Sequence, residues 1–164
     1  YDGGAFFSPD SKWIVYRAFH PKKPAELDAY RALLAQNLVE PGQLEIFVMN
    51  ADGSDKRQVT SNGSSNFAPY FHPDGKRIVF SSNLPPSLPL PLEGGGKGGG
   101  EKGPPTFHLY LIHDDGTGLE QVTATGRFNS FPMFSPDGKR VVWASDRNTV
   151  EKGEFNLFIA DWVP

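Results

Sequence analysis

Three segments of the chain align without gaps: Phe7–Ala18 (FSPDSKWIVYRA), Phe71–Ser82 (FHPDGKRIVFSS) and Phe134–Ser145 (FSPDGKRVVWAS). Their prolines Pro9, Pro73 and Pro136 are 64 and 63 residues apart. A second motif follows each one: Leu44–Thr60 (LEIFVMNADGSDKRQVT), Phe107–Thr123 (FHLYLIHDDGTGLEQVT) and the shorter Phe155–Pro164 (FNLFIADWVP). A period of this length means one supersecondary unit repeated in series, with each unit relying on its neighbours to bury its apolar faces.

The unit reads as strands. Pro73 presets φ for a turn, Asp74 follows, and Gly75 supplies the positive φ. The run Arg77-Ile-Val-Phe80 is then a buried, β-branched and aromatic strand, and Leu109-Tyr-Leu-Ile112 reads the same way. Asp52-Gly53 and Asp115-Gly116 close hairpins onto a shorter, more polar strand ending in Gln-Val-Thr. Ala68-Pro-Tyr-Phe71 and Phe131-Pro-Met-Phe134 form opening strands. One unit is therefore four antiparallel strands, and four-stranded units in series predict an all-β β-propeller. The blades span about 4–60, 67–123 and 130–164, and the third lacks its outer strand. The 18 glycines and 15 prolines fit this reading and oppose a helical bundle.

These motifs resemble the repeat of TolB-like β-propeller proteins, a repeat also found in the propeller domains of prolyl-oligopeptidase-type enzymes. The resemblance implies a six-bladed ring, of which three blades are half, and a periplasmic or extracellular location. The remaining blades come either from a longer polypeptide, this chain resembling the C-terminal half, or from a homodimer in which each N-terminus completes the partner's third blade. The chain starts at Tyr1 with no signal peptide before it, which fits a processed leader or a piece of a longer chain.

Two insertions interrupt the repeat on the rim that carries the links between blades. Residues 19–43 contain Pro24–Leu38, a predicted short helix with Leu27, Tyr30, Leu34 and Leu38 on one face. Residues 84–106 hold 6 prolines and 7 glycines; Pro85–Pro91 favours polyproline II and Gly94–Gly103 reads as a flexible tether. Insertions gathered on one face mark the binding face of a repeat protein. The polar residues expected to ring it are Arg17, Asn66, Arg127, Asn129, Asp146, Arg147 and Asn148, offered as a partner-binding rim, with ordinary loop hydrogen bonding as the alternative.

Chemistry is sparse. Absence of cysteine removes disulfides, thiol catalysis and thiolate-held zinc. The four histidines, His20, His72, His108 and His113, lack metal-ligand spacing and read as turn and surface residues. No G-x-S-x-G elbow occurs. Asn50-Ala-Asp52-Gly-Ser-Asp55 lacks the spacing and terminal glutamate of a calcium loop. Trp13 and Trp143 are expected at equivalent or near-equivalent strand positions, packed in the core between blades. A net charge of −3 gives no nucleic-acid footprint, and no run of apolar residues is long enough to span a bilayer. The sequence thus predicts no catalytic residues, metal or cofactor. The leading expectation is a non-enzymatic binding or scaffolding propeller whose partner is a protein or its own further blades. The alternatives are a substrate-gating module of a peptidase and a subunit of an assembly extended through open blade edges.

Overall fold

A computed structural model describes residues 1–38, 42–85, 105–151 and 153–163. Most of the Pro/Gly-rich insertion, including nearly all of the polyproline stretch and the whole glycine tether, lies outside the described residues.

Eleven strands and one helix are formed among the described residues. Blade 1 comprises β1 (Asp2–Phe7), β2 (Trp13–Ala18), α1 (Pro24–Leu34), β3 (Glu45–Asn50) and β4 (Arg57–Gln58). Blade 2 comprises β5 (Asn66–Phe71), β6 (Arg77–Ser82), β7 (His108–His113) and β8 (Glu120–Gln121). Blade 3 comprises β9 (Asn129–Phe134), β10 (Arg140–Ser145) and β11 (Asn156–Asp161). Each sheet is an antiparallel meander, with four strands in the first two blades and three in the last.

The turns that end the opening strands are built as their residues demand. Ser8 and Ser135 accept the backbone N–H groups of Trp13 and Arg140 at 2.9 and 3.0 Å while donating to Asp10 and Asp137 at 2.7 and 2.6 Å. Ser11, Gly75 and Gly138 hold the left-handed position.

All three opening strands share an irregularity that the repeat alignment alone does not reveal. Tyr16 stands opposite two residues, Gly4 and Ala5; Phe80 opposite Ala68 and Pro69; Trp143 opposite Phe131 and Pro132. The first residue of each pair has φ of +60°, +51° and +55°. This is a bulge with its first residue left-handed. It explains how proline sits inside a paired strand, because the bulge leaves that nitrogen out of the ladder.

The blades pack face to face. Val15, Ile46 and Val48 of blade 1 meet Phe71, Ile78, Phe80, Tyr110 and Ile112 of blade 2 in one buried cluster. Val79, Leu109 and Leu111 on blade 2's opposite face meet Phe134, Val141 and Trp143 of blade 3. Each such fully buried side chain contributes about 1.5–3 kcal/mol of hydrophobic stabilisation. Arg57 of blade 1 ties the first interface together at its turn end, pairing with the Asp114 carboxylate of blade 2 at 2.7 Å and lying over the Trp13 ring.

Three expectations are corrected. The register aligns Trp13 with Arg140, and Trp143 with Tyr16, so the two tryptophans are not equivalent; Trp13 heads its strand and only flanks the first cluster. His108 is a buried strand residue, because it opens β7 beneath the blade link, and burial pushes its pKa down. The helix ends at Leu34, and its inward stripe runs through Leu27, Tyr30 and Leu33, with Tyr30 edge-on to Phe19 at 6.0 Å, while Leu34 and Leu38 face solvent. Among the described residues no helix is long and apolar enough to cross a membrane.

Candidate functional site

The sequence-predicted rim residues separate into three groups. Asn66 and Asn129 are fully buried. Asn66 donates to the Leu44 carbonyl at 2.9 Å and Asn129 to the Phe107 carbonyl at 3.2 Å, so both fasten a blade link to the third strand behind it. Each supplies a hydrogen bond that a buried backbone carbonyl requires.

Arg127, Asp146, Arg147 and Asn148 form a second group at the outer corner of blade 3. Asp146 accepts the Arg127 and Phe128 backbone N–H groups at 2.9 and 3.0 Å, the same task that Asn83 performs for Ser65 at 2.7 Å. Arg147 lies 4.4 Å from the Phe158 ring centre and 5.3 Å from that of Trp143, and donates to the Thr125 hydroxyl at 3.2 Å. Asn148 is an exposed turn residue with φ +56°. Arg127 is exposed.

Arg17 stands apart, beside a cavity of about 330 Å³ on the side of the rim nearest the opening strands. All three blades line it: Tyr1, Arg17 and Leu44 from the first, Phe67 and Phe107 from the second, Phe131 from the third. The phenylalanines continue outward as an array. Phe67 lies 5.2 Å from Phe107 and 6.2 Å from Phe131; Phe128 lies 5.8 Å from Phe107 and 5.0 Å from Phe155. Aromatic pairs at these separations attract beyond simple burial.

Phe131 is the unusual member. It is 59% exposed, precedes a proline, and sits in the left-handed region where a bulky residue is an outlier. Strain of this kind persists only where surrounding structure enforces it, and it gathers at functional positions. Sequence reading placed Trp13 and Trp143 in the core between blades and did not single out this phenylalanine array. The signal was present in the register: Leu44, Phe107 and Phe155 all immediately precede a third strand, and Phe128 immediately precedes an opening strand.

Among the described residues no three His, Cys, Asp or Glu side chains gather as metal ligands. His72 is enclosed by Phe134 and Trp162 beside Asp74 and Arg77, and His20 pairs with Asp2 at 2.8 Å.

No family model matches the chain. A TolB homologue of Chlorobium luteolum is 28% identical over 93% of this chain and 40% of its own length. The crystal structure of TolB from Acinetobacter baumannii superposes with a TM-score of 0.62 at 19% identity, covering 97% of this chain and 29% of that one. The fold is that of β-propeller blades, and over nearly its whole length the chain is similar to TolB. Dipeptidyl-peptidase 5 of Porphyromonas gingivalis is 35% identical over 51% of this chain and 10% of its own length. The chain spans well under half the length of these relatives.

Proposed function

We propose that the chain is part of a non-enzymatic, protein-binding propeller that works outside the cytoplasm and recognises a partner across its link-side rim. The phenylalanine array carries this reading: the second and third blades contribute rings to one aromatic surface beside a cavity that all three blades line, and a strained backbone presents Phe131, its most exposed ring. Aromatic residues are the side chains most enriched at binding hot spots. A rigid blade scaffold lets such a surface bind without the ordering cost of a mobile loop. The corner formed by Arg127, Asp146, Arg147 and Asn148 supplies a polar flank.

Selection of a displayed peptide library on the intact protein tests the reading, with Phe131→Gly as the comparison. Glycine removes the ring and also relaxes the left-handed backbone, so lost folding does not confuse the result. Enriched peptides should bind the variant about tenfold or more weakly, a loss of about 1.4 kcal/mol. Equal binding, or no enrichment, would remove the rim as the site.

The similarity to a dipeptidyl-peptidase over 83 residues favours a second reading, a propeller that gates substrate entry to a hydrolase domain elsewhere in the polypeptide. Hydrolysis of fluorogenic dipeptide substrates by the intact protein separates the two, since only the gating reading requires turnover.

A further inference from the structure

Resting on the binding reading above, we infer that the cavity beside Arg17 is a subsite for a carboxylate carried on an aromatic or large aliphatic residue. Arg17 is a cation without a counter-charge: among the described residues it forms no ion pair, and its one side-chain hydrogen bond goes from Nη2 to the Tyr1 hydroxyl at 3.1 Å. Its Nε is buried without a hydrogen-bond partner. A partly desolvated guanidinium of this kind is costly unless an anion meets it, and Nη1 and Nη2 offer the fork that a carboxylate accepts.

The position is particular to blade 1. The matching residues are Ser81, whose hydroxyl donates to the Asn129 carbonyl at 2.7 Å, and Ala144. Room for the longer side chain comes from Gly3 and Gly4, where Phe67 and Ala68 stand in blade 2; a Cβ on Gly4 would lie 3.1 Å from Nη1. The other walls are Leu44, Phe67, Phe107 and Phe131, with Ser65 the one further polar residue among them. Apolar walls strengthen an ion pair by excluding water. A volume of about 330 Å³ is at the small end for ligand sites and suits one residue-sized group. The carboxylate comes from a peptide's C-terminal residue or from an internal acidic residue beside an apolar one.

Calorimetric titration of the intact protein with 3-phenylpropanoate and with 3-phenylpropanamide tests the charge requirement. The acid should bind about tenfold or more tightly than the amide. Arg17→Gln should abolish that preference, and Phe131→Gly should weaken both ligands. Gly-Gly-Phe with a free or amidated C-terminus, set against a doubly capped Gly-Asp-Phe-Gly, distinguishes the two sources. Equal binding of acid and amide, or no saturable binding of either up to about 10 mM, overturns the inference. If Arg17→Gln fails to fold, the acid-to-amide ratio on the unaltered protein decides alone. Equal acid and amide binding alongside Phe131-dependent peptide capture would defeat this inference and leave the binding reading intact.

Discussion

Gly53 and Gly116 occupy the same hairpin position in successive blades, with φ of +85° and +87°, yet their surroundings differ. A Cβ on Gly53 would meet open space, whereas one on Gly116 would fall 2.8 Å from the Val59 carbonyl oxygen of the neighbouring blade. Gly53→Ala should therefore cost only the left-handed penalty of about 1–2 kcal/mol. Gly116→Ala should add an overpacking cost of about 1–3 kcal/mol. Chemical denaturation of both variants measures the difference, and equal losses would mean that the hairpin of blade 2 does not lie against blade 1. Arg17 shows the same dependence on context. Its residue type was legible as polar and rim-placed, but its missing counter-charge became visible only once three blades had been brought around it.

At the scale of the element, the first turn of each blade uses a serine in two cases and His72 in the other. The backbone of the turn is retained, with the His72 N–H donating to the Arg77 carbonyl at 2.8 Å, but the side-chain bond differs: the ring accepts the Asp74 backbone N–H at 3.1 Å. It also introduces a titratable group. Burial, together with the Arg77 cation, lowers the His72 pKa against the opposing pull of Asp74. The folded state thus favours neutral imidazole, so its contribution is complete above the ordinary value of about 6.5 and is lost as pH falls through the lower folded value. Melting temperature should fall between about pH 7 and about pH 5, and His72→Gln should flatten that slope. Buried His108 contributes with the same sign. Identical slopes in calorimetric melts of the two proteins would contradict this. Strands and turns were readable because Pro-Asp-Gly, Asp-Gly and β-branched runs act locally. The bulge was not, since Phe131-Pro132 looks like ordinary strand sequence until Trp143 is placed opposite both residues. The helix end was misread for a related reason: Leu38 continues the apolar period, but no blade surface lies beneath it.

For the whole molecule, the end faces matter most. Met133, Leu157 and Ile159 match in register Tyr70, Leu109 and Leu111, the residues through which blade 2 grips blade 3, but here they are exposed, Leu157 to 81%. A face so similar to a working interface should be covered in the intact protein. Leu157→Ala should then cost about 2–5 kcal/mol, as Leu109→Ala should in the interior. A cost within about 0.5 kcal/mol would show the face open to solvent. Solution mass then tells apart further blades of the same polypeptide, a second copy, and open-ended growth from edge to edge. The bulges bear on how such a molecule could change its partners. Each one resets the in-and-out alternation of its strand, so the residues beyond it return to the packed faces. At the third bulge Phe131 is left 59% exposed, so a lineage could rewrite that position while leaving the interior untouched, whereas Ala68 at the second bulge is buried.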